Sequence, residues 1–130
     1  MSDIKEVINN LEGLISLKAA SDEAIENAEN ELALQLSDEY KDYLKEYGAV
    51  LAMGVELTGI AKSKHRDVVQ ATKKEWAANS KVSNNLYVVE NVAIDGIVIW
   101  QDADGKIYES TPNNEAKFIY NNLAEYLKNK

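Results

Sequence analysis

The sequence predicts an α+β fold, in which a central, mainly antiparallel sheet has helices packed on it. Three observations carry that reading. Residues 21–48 hold two successive helical patterns, each opened by a serine and two acids. LYVV at 86–89 and IVIW at 97–100 are short apolar runs rich in β-branched and aromatic residues, the composition of strands covered on both faces. The tetrad from Asp102 to Gly105 followed by KIYES reads as a tight turn and its returning strand, which makes that pairing antiparallel.

From the start of the chain, Ile4, Val7, Ile8, Leu11 and Ile15 keep helical period, so a first helix is expected over residues 3–17, capped by Ser2 or Asp3. Gly13 weakens its last turn, because glycine inside a helix costs about 1 kcal/mol relative to alanine. Ser21 is the N-cap of the next helix, with Asp22 and Glu23 beside the positive end of its dipole. Ile25, Ala28 and Leu32 form its apolar stripe. Glu29 lies about 40° from that stripe, so it is expected to be half-buried and to accept a hydrogen bond from a tyrosine hydroxyl or a backbone N–H. Leu34 and Leu36 alternate with polar or small residues, and the chain runs extended until Ser37 caps a third helix. On that helix Tyr40, Tyr43, Leu44 and Tyr47 share one face, and Gly48 stops it.

AVLAMGVELTGI, residues 49–60, is apolar and punctuated by glycine, which predicts one or two strands, and AKSKHR after it is a basic loop. A helix from about Asp67 to Ala77 turns Val68, Val69, Thr72 and Trp76 inward. The runs at 86–89 and 97–100 are then the expected central strands. Pro112 and its asparagines make a turn, residues 118–120 a last short strand, and Asn121 or Asn122 caps a terminal helix that buries Leu123, Tyr126 and Leu127.

Composition narrows the function classes. A chain of 130 residues fits a single domain, 1–130, and buries roughly two-thirds of its unfolded surface without staples. The absence of cysteine excludes disulfides, thiolate metal sites and cysteine nucleophiles. No apolar run approaches the roughly 20 residues of a membrane span, and MSDIKEVINN has no secretory pattern, so a soluble, cytoplasmic protein is expected. Net charge is -8 and unevenly spread: residues 21–48 carry nine acids against two lysines, whereas residues 62–82 carry five lysines and one arginine against two acids. That balance disfavours a phosphate backbone, which needs a clustered positive footprint, and favours a basic partner.

A search for chemistry returns little. His65 is the only histidine and has no carboxylate nearer in sequence than Asp67, so it reads as a solvated surface residue rather than a general base. Asp102 and Asp104 fail the calcium-loop spacing, because glycine follows Asp104 directly and no third acid comes in register, so a plain turn is the better reading. The glycines make no phosphate-cradling pattern. The tyrosine stripe of the third helix reads as core rather than as a stacking platform for bases. No metal, no cofactor and no catalytic residue are therefore expected. What remains is acidic surface: Glu39, Asp42 and Glu46 on an outward flank of the third helix, and Glu23 and Glu26 on the second. Asp102, Asp104 and Glu109 form a competing patch on the hairpin.

The pattern S-x-x-x-I-x-x-A-E-x-x-L-x-L-x-L-S-x-x-Y-x-x-Y-L-x-x-Y-G over residues 21–48 resembles the signature of the SUKH superfamily, of Smi/Knr type. Thr58-Gly59-Ile60, DVVQAT from Asp67, LYVVE from Leu86, DGIVIW from Asp95, DGKIYE from Asp104 and NNLAEYL from Asn121 follow in matching order, so the resemblance covers most of the chain. Ser37 stands where the family usually has proline, and either residue begins a helix. The resemblance implies an immunity protein without catalytic apparatus, which binds a cognate toxin domain, often a nuclease, and blocks it. A basic nuclease cleft suits an acidic inhibitor. The alternative is a regulatory or scaffolding module, like the fungal members of the superfamily, although the chain lacks the long disordered extensions that recruit several partners. A carboxylate-based hydrolase is the third reading.

Overall fold

The computed structural model describes residues 3–92 and 94–130. Among the described residues five helices and seven strands follow one another as α1 (Ile4–Asn9), β1 (Ile15–Ser16), α2 (Asp22–Leu32), α3 (Asp38–Tyr47), β2 (Val50–Ala52), β3 (Val55–Glu56), α4 (Val68–Ala78), β4 (Tyr87–Asn91), β5 (Val98–Gln101), β6 (Ile107–Ser110), β7 (Lys117–Tyr120) and α5 (Leu123–Lys128). The strands are antiparallel, as expected, and form two sheets, ordered β1-β2-β3 and β4-β5-β6-β7. A bridge between Leu57 and Glu90, with Thr58 N–H donating to the Val89 carbonyl at 2.9 Å, ties the first sheet to the outer side of β4. In the order β4-β5-β6-β7 the inner strands are β5 and β6 instead of β4 and β5, and among the described residues β4 is flanked on its other side only by the segment at 57–58.

The first helix departs from its expected length. It ends at Asn9, because Gly13 takes φ +71° and turns the chain into β1, where Ile15 pairs with Leu51 and stays 63% exposed. Periodicity had carried the pattern through a left-handed glycine. Asp3 occupies the N-cap without a side-chain hydrogen bond, and Ser2 lies outside the described residues.

Elsewhere local sequence and structure agree. Ser21 accepts from Ala24 N–H and Ser37 from Tyr40 N–H, each satisfying one of the unpaired donors that open α2 and α3. Asp67 and Asn122 do the same for α4 and α5. The α2 stripe of Ile25, Ala28 and Leu32 is buried, as are Tyr40, Tyr43, Leu44 and Tyr47 of α3. Both faces of β4 and β5 are covered. Tyr87, Val89 and Ile99 join the large core with α1, α2, α3 and α5, while Val88, Val98 and Trp100 pack on Ala71, Val82 and Leu86. Trp76 is half-buried and donates its indole N–H to the Leu86 carbonyl at 3.0 Å.

Three buried tyrosines fix α3 to the sheets. Tyr40 Oη donates to Thr58 Oγ1 (2.7 Å), which donates to the Val88 carbonyl (2.8 Å), and Tyr43 Oη donates to the Thr58 carbonyl at 2.6 Å. Tyr87 Oη accepts from Ser37 N–H (3.0 Å) and donates to Gln101 Oε1 (2.8 Å). Burial pushes the pKa of all three phenols up, so they are protonated donors at neutral pH.

Candidate functional site

The polar chain from Ser37 through Tyr87 reaches Gln101, which is wholly buried and ends β5 at the hairpin. Its amide N–H groups go two ways: Gln101 Nε2 donates to the Gly105 carbonyl (2.9 Å), holding the turn, and to Glu39 Oε1 (2.8 Å). Glu39 completes the link. Its carboxylate accepts from Leu123 N–H at 2.7 Å and Ala124 N–H at 3.0 Å, the first two backbone donors of α5. The start of α3, the β5–β6 turn and the start of α5 are thus held around one buried carboxylate. Burial holds the Glu39 carboxyl above the ordinary glutamate range, and the hydrogen bonds from Ala124, Leu123 and Gln101 offset part of that rise.

Between these elements lies an open groove of about 540 Å³. Asp3, Asp38, Asp42 and Asp104 line it, with Glu39 among them. Asp3 lies 3.7 Å from Lys128 and Asp38 lies 3.9 Å from Lys41, whereas Asp42 and Asp104 have no ion pair among the described residues. The groove is an anionic recess suited to accepting hydrogen bonds from lysine or arginine.

The expected acidic residues divide on this geometry. Asp42 and Asp104 come together in the groove, so the helix patch and the hairpin patch, which the sequence separates by about 60 residues, share one surface. Two placements require correction. Glu39 does not face water: it is 9% exposed, because α5 packs its unpaired N–H groups over it. Asp102 is turned into its own hairpin, with Oδ1 accepting from Asp104 N–H and Lys106 N–H, both at 3.0 Å, and Oδ2 accepting from Tyr108 Oη at 2.9 Å. Its lone pairs serve the turn.

The other acids stand outside the groove. Glu46 is 3.6 Å from Lys5, and Glu109 lies opposite Lys117 in the β6–β7 register. Glu23 and Glu26 are exposed on α2. Sequence reasoning missed Asp3, Asp38 and above all Gln101. One signal was available for Glu39, since it lies at i−4 from the buried Tyr43 and so only about 40° from it. His65 is exposed, 2.9 Å from Ser63 Oγ and 3.5 Å from Glu56. Among the described residues no cluster of three or more metal-ligating side chains occurs, and no helix is long and apolar enough to cross a membrane.

Comparison with known proteins adds one finding. No curated protein matches the chain. A family model described as SMI1-KNR4 cell-wall, designated SUKH_5, matches residues 3–130. That span includes every helix, every strand and the whole groove, so the chain belongs to the SUKH_5 family, of SMI1-KNR4 type.

Proposed function

We infer that this chain is an immunity protein that binds a cognate toxin domain and blocks it by occupancy, without a reaction of its own. The observation that carries the reading is the acidic groove, where Asp42 and Asp104 converge without an ion pair among the described residues. The family is consistent with an interaction module of this type. A toxin domain with a basic surface, such as the phosphate-holding cleft of a nuclease, is the partner of complementary chemistry, since removing its access to phosphate disarms it. No direct contact with nucleic acid or membrane belongs to the reading, and such a protein would act in the cytoplasm, where the toxin finds its target.

Co-expression with a secreted toxin found by reading the neighbouring open frame tests it. Growth rescue together with a purified one-to-one complex is the expected result. With the correct toxin in hand, failure of both rescue and binding would overturn the immunity reading in favour of a regulatory module.

A further inference from the structure

A second groove, of about 720 Å³, shares no residue with the acidic one. It runs between residues 17–24 and 60–66, and its sign is reversed. Leu17, Ala20, Ala24 and Ile60 give it apolar walls, while its charged side chains are Lys18, Lys62 and Arg66. A close crossing brings the two walls together. Gly48 takes φ +73°, and a side chain there would run into the Lys18 carbonyl, while one at Gly59 would run into the Gly48 carbonyl. Only glycine permits the backbones to approach so nearly.

Arg66 lines this groove and carries an unmet donor on its inner side. Its Nε is buried and finds no hydrogen-bond acceptor, and no carboxylate of the described residues pairs with its guanidinium. Lys18 and Lys62 likewise have no ion pair among the described residues. A buried donor left unmet is costly, and a guanidinium is shaped to receive a carboxylate through two parallel hydrogen bonds.

We propose that this groove binds a peptide segment of a protein partner in which an apolar side chain adjoins a carboxylate. The apolar side chain lies between Leu17 and Ile60, and the carboxylate meets Arg66 with Lys18 and Lys62 at the rim. A segment of polypeptide suits an open trough bordered by the irregular stretch after β1 better than it suits a closed pocket. A basic toxin surface would be repelled here, so the inference goes beyond the immunity reading and stands without it.

The test is an amide-resolved NMR titration of the full chain with acetyl-Leu-Glu-Leu-amide and with its uncharged counterpart acetyl-Leu-Gln-Leu-amide. The glutamate peptide is expected to shift resonances of residues 17–24 and 60–66 saturably and to bind about ten-fold tighter than the glutamine peptide, equivalent to about 1.4 kcal/mol. Arg66→Met should abolish that preference without lowering the melting temperature, because the unmet donor goes with it. Equal binding of the two peptides, or no shifts in the groove at millimolar peptide, would overturn the proposal. The wild-type comparison decides even where the variant folds poorly. Octanoate binding as tightly as the peptide would make this a small-acid site and overturn the peptide assignment. Asp42→Asn with Asp104→Asn should leave the titration unchanged, which separates failure here from failure of the toxin reading.

Discussion

Glu39 has a folded-state pKa raised by burial, and its stability contribution has a definite sign. A raised value means the folded state binds the proton more tightly. The contribution is therefore fully present below the unfolded glutamate value and is lost as pH rises through the folded one. Glu39→Gln removes this titration, so the stability advantage of the wild type over the variant should be larger at pH 4 than at pH 7 in urea unfolding. An advantage that grows toward pH 7 would contradict the assigned shift. Glu29 offers the simpler case. Its Oε2 accepts from Leu36 N–H at 2.9 Å, with Lys41 at 3.8 Å and the side chain only 23% exposed. Glu29→Ala leaves that amide unmet and should cost roughly 1–3 kcal/mol, whereas a loss near zero would show that water replaces the carboxylate freely. The half-burial was legible from helical angle, and a backbone N–H was one of the two expected donors, but its identity as Leu36 was not, because that residue lies beyond the end of α2. Gln101 was not legible, since three of its four partners, Tyr87, Glu39 and Ser37, lie 14, 62 and 64 positions away. For His65, His65→Ala and a chelator are each expected to leave the melting temperature unchanged, and a shift with chelator would point to a metal at the 102–105 turn.

Elements whose signals are local were read well. The serine caps of α2 and α3, the tyrosine face of α3 and the hairpin at 102–105 all depend on neighbours within a few residues, and there propensity and packing agree. The misreading of α1 has the opposite cause. Ile15 continues a helical spacing, yet pairing with Leu51, 36 positions away, takes it into β1 once Gly13 has turned the chain. Likewise, a continuous apolar run marks β4 as doubly covered but says nothing about its place in the sheet order. The end of α2 shows local strain. Ala33 takes φ 53° at its C-cap, a left-handed conformation that costs an L-residue more than it costs glycine. Ala33→Gly should thus raise stability by roughly 0.5–1 kcal/mol in thermal or urea unfolding, the range left after glycine's extra unfolded-state entropy. A destabilised variant would mean that the Ala33 methyl contributes packing that outweighs the strain.

At the scale of the whole molecule, charge of one sign gathers where three chain segments meet, and charge of the other sign lines a separate groove. The composition foretold the imbalance, but only the fold joins Asp42 of α3 to Asp104 of the hairpin. Exposed charges act mainly on encounter, by drawing an oppositely charged partner into register before close contacts form. The central claim is that this acidic groove steers a basic toxin domain. Its most direct test is the association rate with the toxin that the co-expression experiment identifies, measured against ionic strength for the wild type and for Asp42→Asn with Asp104→Asn. A control replaces Glu23 and Glu26 with glutamine on α2. The account predicts that the groove variant lowers the rate roughly ten-fold at low salt and flattens its salt dependence, while the α2 control stays near wild type. A groove variant that associates as fast as wild type at every salt concentration would contradict it.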